Sequence, residues 1–110
     1  LELVGSLAES TMKLVNVGTA VVGADGVSAS GGLTTHDEIE ARTNLAMIER
    51  AQRVIVAIDS TKIGHTTLAR VADLKDIQVL VTDSGAPEAE LQRIRNAGVE
   101  VHVVEGPRHL

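Results

Sequence analysis

Short runs of aliphatic residues recur along the chain, and they constrain its fold more than any other feature. Each run is largely apolar at consecutive positions, so both faces of the corresponding strand are expected to be buried. The predicted strands lie at residues 19–23, 54–58, 77–83 and 99–104, with a further short strand and a tight turn within 68–76. Such strands, when separated by amphipathic helices, are typical of a parallel sheet covered on both sides. The sequence therefore predicts an α/β domain with a mostly parallel sheet flanked by helices.

Helical patterns fill the intervals between these strands. A short helix is predicted over residues 7–15. Thr35 precedes Glu38 by three residues, which is the spacing of a capping box, and predicts that a second helix begins there. Its inner face would consist of Ala41, Leu45, Ile48 and Ala51. Pro87 suits the first position of a third helix that Gly98 would end. The inner face of this third helix would consist of Leu91 and Ile94.

Composition excludes several classes of function. The 110 residues suit one small domain, and 15 acidic against 10 basic side chains give a net charge of -5. No basic stretch could neutralise a row of phosphates, which argues against nucleic-acid binding by this chain alone. Without cysteine, disulfides and thiolate metal sites are excluded, and a reducing cytoplasm is the simplest location. The apolar runs are too short to span a membrane. The chain also lacks aromatic residues that could stack on a sugar or a base.

Three predicted strands end in similar polar turns. These are GADG at residues 23–26, DSTKIG at 59–64 and TDSG at 82–85. Because ligands of open parallel sheets bind beyond the carboxyl ends of the strands, the turns would form a polar shelf. The alternative is that Asp, Ser and Gly are simply good turn residues. Lys62 lies beside two hydroxyl residues and near a glycine, a setting that suits the binding of an anion such as a phosphate. The alternative is a solvated lysine on a surface loop, which the sequence does not distinguish from a binding residue.

The remaining titratable residues give no sign of a metal or a nucleotide. The histidines lack metal-ligand spacing; they are His36, His65, His102 and His109. No glycine-rich dinucleotide or P-loop motif is present, so we predict no cofactor. Glu40 is ambiguous, because it lies in the first turns of a helix that follows the glycine-rich segment 28–35 and could face the polar shelf.

Several of these segments together resemble one known family, the carboxyl-terminal sensor domain of DeoR-type bacterial transcriptional regulators. The resemblance runs from residue 3 to the last strand. It rests on GADG, GLTT, the DSTK loop and the TDSG turn in this order and spacing. It implies a Rossmann-like fold similar to that of sugar-phosphate isomerases, and a sensor that binds a phosphorylated sugar in the cytoplasm. Operator DNA would be bound by a separate helix-turn-helix domain.

The resemblance also implies that residues 1–110 are the carboxyl-terminal part of such a sensor. The DNA-binding domain and the first part of the sensor, which usually holds the ligand's phosphate, would be absent from this chain. Carried over position by position, the family's ligand-facing residues are Asp25, Gly26, Glu40 and Lys62. The two carboxylates would accept hydrogen bonds from sugar hydroxyls, and the lysine would bind phosphate. Asp59 and Gly64 are expected to shape the loop.

The chain departs from the family pattern at three positions. His36 stands where the family usually has Pro, Asn44 where it has Lys, and Ile63 where it has Phe. The last two differences leave the identity of the effector open, whereas the fold should be little affected.

Two classes of function remain open from the sequence. A sensor needs only a different affinity for its effector in two regulator states. An isomerase-like enzyme would need a general base, for which Asp25 or Glu40 would have to serve. The resemblance favours the sensor. We also expect a homo-oligomer, because a sheet edge left uncovered tends to pair with another chain.

Overall fold

The computed structural model describes residues 5–105. Residues 3 and 4, where the family resemblance begins, and His109 lie outside this range. The described part contains three helices and seven strands. The helices are α1 (Gly5–Met12), α2 (Glu38–Arg50) and α3 (Glu88–Asn96). The strands are β1 (Thr19–Val22), β2 (Gly26–Ser28), β3 (Gly32–Thr35), β4 (Arg53–Ala57), β5 (Ala69–Ala72), β6 (Val79–Asp83) and β7 (Glu100–Val104). Short 3-10 turns follow β4 (Ser60–Lys62) and β5 (Leu74–Asp76).

Four strands form the predicted parallel sheet, in the order β1-β4-β6-β7. Every pairing in it is parallel, and each strand is linked to the next by a connection that leaves the sheet. The central strands are aliphatic on both faces. Ile55, Val56, Leu80 and Val81 are at most 1% exposed. The predicted α/β class, with a Rossmann-like parallel sheet, is confirmed.

The two faces of this sheet are covered differently. On one face lies the main core, to which α2, α3 and the loops after the strands contribute side chains such as Ile48, Leu91 and Ile94. On the other face α1 packs across β4, β6 and β7, with Leu7 against Ile55. Most of the inward faces predicted for the second and third helices are thus buried. The exceptions are Leu45, which is 38% exposed, and Ala51, which is partly buried and lies just after the end of α2.

A second sheet, antiparallel and with the order β2-β3-β5, was not predicted. The strand expected within residues 68–76 exists as β5, but it belongs to this sheet. β2 and β3 lie in a segment that reads as a glycine-rich loop. They have three and four residues, and alternation of polar and apolar residues cannot be recognised over so short a length. Both strands are nevertheless buried throughout.

The helix ends correct some details of the prediction. Thr35 does not cap α2, because it is the last residue of β3 and its hydroxyl donates to the Asp37 carbonyl at 3.0 Å. Asp37 is the cap instead, and its carboxylate accepts the N–H of Ile39 at 2.8 Å. Pro87 immediately precedes α3. Gly98 ends this helix as predicted, with a φ of +101° that favours glycine.

The helix predicted over residues 7–15 is α1, which begins and ends earlier than expected. β1 and β7 are the edge strands of the parallel sheet in the described part of the chain. Such edges are the reason for expecting an oligomer, which stays a prediction. Within residues 5–105, no helix combines the length and apolar character needed to cross a membrane.

Candidate functional site

The three polar turns lie at one edge of the parallel sheet. β1, β4 and β6 are neighbours and run in the same direction, so their carboxyl ends meet. Residues 23–26 follow β1 directly, residues 59–64 are separated from the end of β4 by one residue, and residues 82–85 comprise the last two residues of β6 and the turn after it. We call these residues the polar shelf. It occupies the position at which open parallel sheets bind ligands.

Asp83 joins the second and third turns of the polar shelf. Its Oδ2 accepts the N–H of Ser60 at 2.9 Å, and its Oδ1 accepts the N–H of Gly85 at 3.1 Å. Burial acts to raise the pKa of Asp83, but the hydrogen bonds from Ser60 and Gly85 outweigh it and lower the pKa. A Cβ at Gly85 would lie 2.7 Å from the Ser60 hydroxyl, so the two turns pack closely. TDSG therefore serves largely as a structural turn.

A backbone contact joins the first and second turns. Val27 and Ile63 form an isolated parallel bridge, and the N–H of Gly64 donates to the Val27 carbonyl at 2.7 Å. Because Gly26 and Lys62 immediately precede the two bridged residues, their backbones lie beside each other. The structure thus brings two of the sequence-predicted site residues together.

Asp25 is held by the backbone around it. Its N–H donates to the Thr34 carbonyl at 2.9 Å, and its Oδ2 accepts the N–H of His36 at 2.8 Å. Proline, which is usual at position 36 in the family that the sequence resembles, could not donate this hydrogen bond. Within the described residues, no hydrogen bond reaches Oδ1 of Asp25. This oxygen can therefore accept one from a ligand hydroxyl.

Gly26 has a structural reason to lack a side chain. A Cβ at this position would lie 2.3 Å from the carbonyl oxygen of His65 and 2.9 Å from the Thr34 hydroxyl. Gly26 is itself buried. The close approach of the segment that follows the second turn thus accounts for a glycine at this position.

Lys62 is half-exposed and loosely paired. Its Nζ lies 3.7 Å from Oδ2 of Asp59, which is longer than a hydrogen bond. Asp59 has closer partners, since its Oδ1 accepts from both the hydroxyl and the N–H of Thr61. The Thr61 hydroxyl is the main reason that the pKa of Asp59 is lowered. Asp59 therefore shapes the loop, as predicted, while Lys62 retains donors for another anion.

Glu40 is exposed on α2 and lies one helical turn before Asn44. The Asn44 side-chain amide donates to the carbonyl of Gly23 at 3.3 Å, which attaches this side of α2 to the first turn. Glu40 makes no hydrogen bond or ion pair with residues 5–105. It lies in the first turn of α2, four residues after His36, whose N–H donates to Asp25.

One residue that contacts this region was missed. The carboxylate of Glu90, on α3, accepts the N–H of Ala29 in the turn between β2 and β3, at 2.7 Å. In its sequence context, PEAELQ, Glu90 looks like an ordinary solvated residue of a helix. The contact spans 61 residues and depends on the second sheet, so no local signal could have revealed it.

No group of three or more His, Cys, Asp or Glu side chains that could hold a metal ion occurs among the described residues. His102 contacts Glu100 on β7, and this contact lowers the pKa of Glu100. The pair lies on β7 opposite Val79 and Val81 of β6, and not in any of the three turns of the polar shelf.

The fold is that of an α/β domain with a parallel sheet whose carboxyl edge is polar. The DeoR C-terminal sensor domain family matches residues 1–84. The chain therefore belongs to this family.

Individual relatives agree with this assignment. A candidate aga operon transcriptional repressor of Escherichia coli O157:H7 is 36% identical over 91% of this chain. The transcriptional regulator GlpR of Haloferax volcanii is 34% identical over 90%, and the transcriptional repressor GlcR of Bacillus subtilis is 31% identical over 94%. The chain spans 37%, 39% and 40% of the length of these relatives, respectively.

Proposed function

We propose that this chain is the carboxyl-terminal part of the effector-sensing domain of a transcriptional regulator, and that it binds a phosphorylated sugar at the polar shelf. Effector binding would alter operator binding by a separate helix-turn-helix domain, so the domain is a sensor and not an enzyme. The observation that carries the proposal is the meeting of three polar turns at the carboxyl edge of the parallel sheet, joined by the Val27–Ile63 bridge and by Asp83. The relatives, which are named as regulators and repressors, support it.

The side chains on the polar shelf suit both parts of such a ligand. Lys62 supplies a positive charge, and its exposed pair with Asp59 is weak enough for a phosphate to replace the carboxylate. The open oxygen of Asp25 can accept from a sugar hydroxyl, and the exposed carboxylate of Glu40, in the first turn of α2, is a second candidate acceptor. Gly26 contributes by allowing the segment that follows the second turn to approach. Further contacts with the phosphate would come from parts of the regulator outside this chain.

Titration calorimetry of the intact regulator tests this proposal. Glucose 6-phosphate, fructose 6-phosphate and glycerol 3-phosphate would be compared with the same compounds lacking phosphate. We expect one phosphorylated compound to bind and its unphosphorylated counterpart to bind far more weakly. Lys62→Ala should weaken that binding by about 1.5 to 3 kcal/mol, the usual range for a hydrogen bond to a charged group.

Lys75→Ala is the matched control. Lys75 is also a loop lysine paired with an aspartate, but it is 78% exposed and lies after β5, away from the three turns. We expect wild-type affinity for this variant and unchanged operator binding by both variants without effector. Equal affinities of Lys62→Ala and wild type would refute the role of Lys62. Sustained conversion of an aldose phosphate to a ketose phosphate would show an enzyme instead.

A further inference from the structure

Glu90 lies where the parts that form the polar shelf converge. Its Oε2 accepts the N–H of Ala29, in the hairpin that continues from the first turn. At the end of the second turn, a Cβ at Gly64 would lie 3.7 Å from Cγ of Glu90, so the two residues are neighbours. The helix α3, which carries Glu90, follows the third turn. Glu90 thus lies beside the segments that adjoin the first two turns, on the helix that follows the third, and its carboxylate binds the first of these segments.

The Glu90 carboxylate is fixed and ionised. Its side chain is 12% exposed. Oε1 accepts from Nε and Nη2 of Arg93 at 3.0 and 2.8 Å, which leaves Oε2 for Ala29. The hydrogen bond from Ala29 is the main reason that the pKa of Glu90 is lowered, and Arg93 lowers it further. Because Arg93 balances the negative charge, Glu90 can lie near an anion site without strongly repelling the ligand.

The hairpin needs such a contact, because few others hold its turn in place. Within the turn, the Ser28 hydroxyl accepts the N–H of Gly31 at 2.8 Å, and it also contacts the Thr66 hydroxyl at 3.0 Å. These bonds connect small, neutral groups. The bond between Ala29 and Glu90 involves a charge and links the hairpin to the helix that is packed on the parallel sheet.

We propose that Glu90 is a positioning residue for the effector. It holds the hairpin and the second turn in the one arrangement that places Asp25 and Lys62 around the ligand. Affinity for the effector therefore depends on a side chain that does not touch it. The part of this inference that concerns affinity rests on the proposed function, whereas the part that concerns the hairpin does not.

Amide hydrogen exchange of the intact protein, resolved by residue, tests the positioning directly. In Glu90→Ala, exchange at Ala29 and Gly64 should rise about tenfold or more relative to wild type, because a charged partner is lost from the hairpin. Glu90→Gln keeps an acceptor oxygen and the volume of the side chain, so it should show a smaller rise. Amides in β4 and β6 should keep their protection in both variants. Unchanged exchange at Ala29 in Glu90→Ala would overturn the inference.

Glu88→Ala is the matched control. Glu88 lies in the same helical turn and pairs with Arg95 at 2.8 Å, but it is 75% exposed and makes no contact with the hairpin among the described residues. This variant should exchange like wild type at Ala29 and Gly64. A rise equal to that of Glu90→Ala would mean that any loss of charge from α3 loosens the hairpin, and would overturn the inference.

Effector affinity separates this inference from the proposed function. With a phosphorylated sugar that wild type binds, Glu90→Ala should bind about tenfold more weakly, Glu90→Gln should lie between, and Glu88→Ala should match wild type. Loosening of the hairpin without any loss of affinity would overturn the positioning role. If wild type binds none of the phosphorylated compounds, the proposed function fails, and the exchange experiment alone decides whether Glu90 holds the hairpin.

Discussion

The central strands of the parallel sheet are buried aliphatic residues almost from end to end, whereas β2 and β3 are built largely from glycine, serine and threonine. Burial of apolar surface therefore stabilises the first sheet. The second sheet depends on particular hydrogen bonds, such as those that the Thr34 hydroxyl accepts from Thr67 and the Glu90 carboxylate accepts from Ala29. The second sheet, which begins at the last residue of the first polar turn, thus depends more on specific hydrogen bonds than the parallel sheet does.

Removing a side chain from the parallel sheet should have the largest effect. Leu80, in β6, is 1% exposed, so Leu80→Ala should lower the free energy of unfolding by about 2 to 5 kcal/mol. Urea unfolding followed by far-ultraviolet circular dichroism would measure this, since the chain has no aromatic fluorophore. Leu68→Ala is the control, because Leu68 is 86% exposed and should change stability by less than about 0.5 kcal/mol. Equal losses of stability in the two variants would contradict the burial of Leu80 in the core.

A substitution in the second sheet should have a smaller and more local effect. Gly32 has a φ of +71°, and a Cβ there would lie 2.4 Å from the Ala72 carbonyl oxygen. We expect Gly32→Ala to lower the free energy of unfolding by about 1 to 3 kcal/mol. Amide hydrogen exchange should rise in β2, β3 and β5, while the amides of β4 and β6 stay protected.

The loss of stability expected for Gly32→Ala has two causes, backbone strain at a positive φ and the clash with the Ala72 carbonyl. Gly98→Ala separates them. Gly98 also has a positive φ, of +101°, but no atom lies within 4 Å of a Cβ built there. Its substitution therefore introduces backbone strain alone, and it should cost less than Gly32→Ala. Equal costs would show that the clash with Ala72 is relieved without loss of stability, and that the second sheet is more adaptable than its packing indicates.

The smallest expected effect concerns the decrease of thermal stability at acidic pH. The folded-state pKa values of Glu90 and Asp83 are lowered, so each carboxylate stabilises the fold above the pKa it has when unfolded. This contribution is lost as the pH falls through the lowered folded-state pKa. The melting temperature should therefore decline in acid, and in Glu90→Gln the decline should be shallower. An identical decline in wild type and variant would exclude Glu90 as a contributor.

The same difference between the sheets explains what the sequence could predict. The parallel sheet and the inner faces of the helices rest on local patterns, such as the aliphatic run of β4 and the spacing of Leu91 and Ile94. The second sheet rests on contacts between distant segments, and its short strands carry no pattern. The spacing of Thr35 and Glu38 predicts the cap of α2 at Thr35, but Thr35 is paired in β3, and Asp37, three residues before Glu40, is the cap.

The polar shelf was predictable only in outline. Polar turns after adjacent strands indicated where Asp25 and Lys62 would lie. The sequence could not show that Gly26 makes room for the His65 backbone, or that Glu90 reaches the hairpin. Both contacts exist only after the second sheet has formed, so only the folded structure reveals them.

The pairing of β3 with β5 sets an order of events during folding. Thr34 lies opposite Arg70 although all of α2 and β4 lies between them in the chain. Closing so long a loop costs entropy that a ladder of a few residues cannot repay by itself. We therefore expect β4 to dock first and to bring β5 within reach. The second sheet would then be the last part of the domain to form and the first to be lost on unfolding.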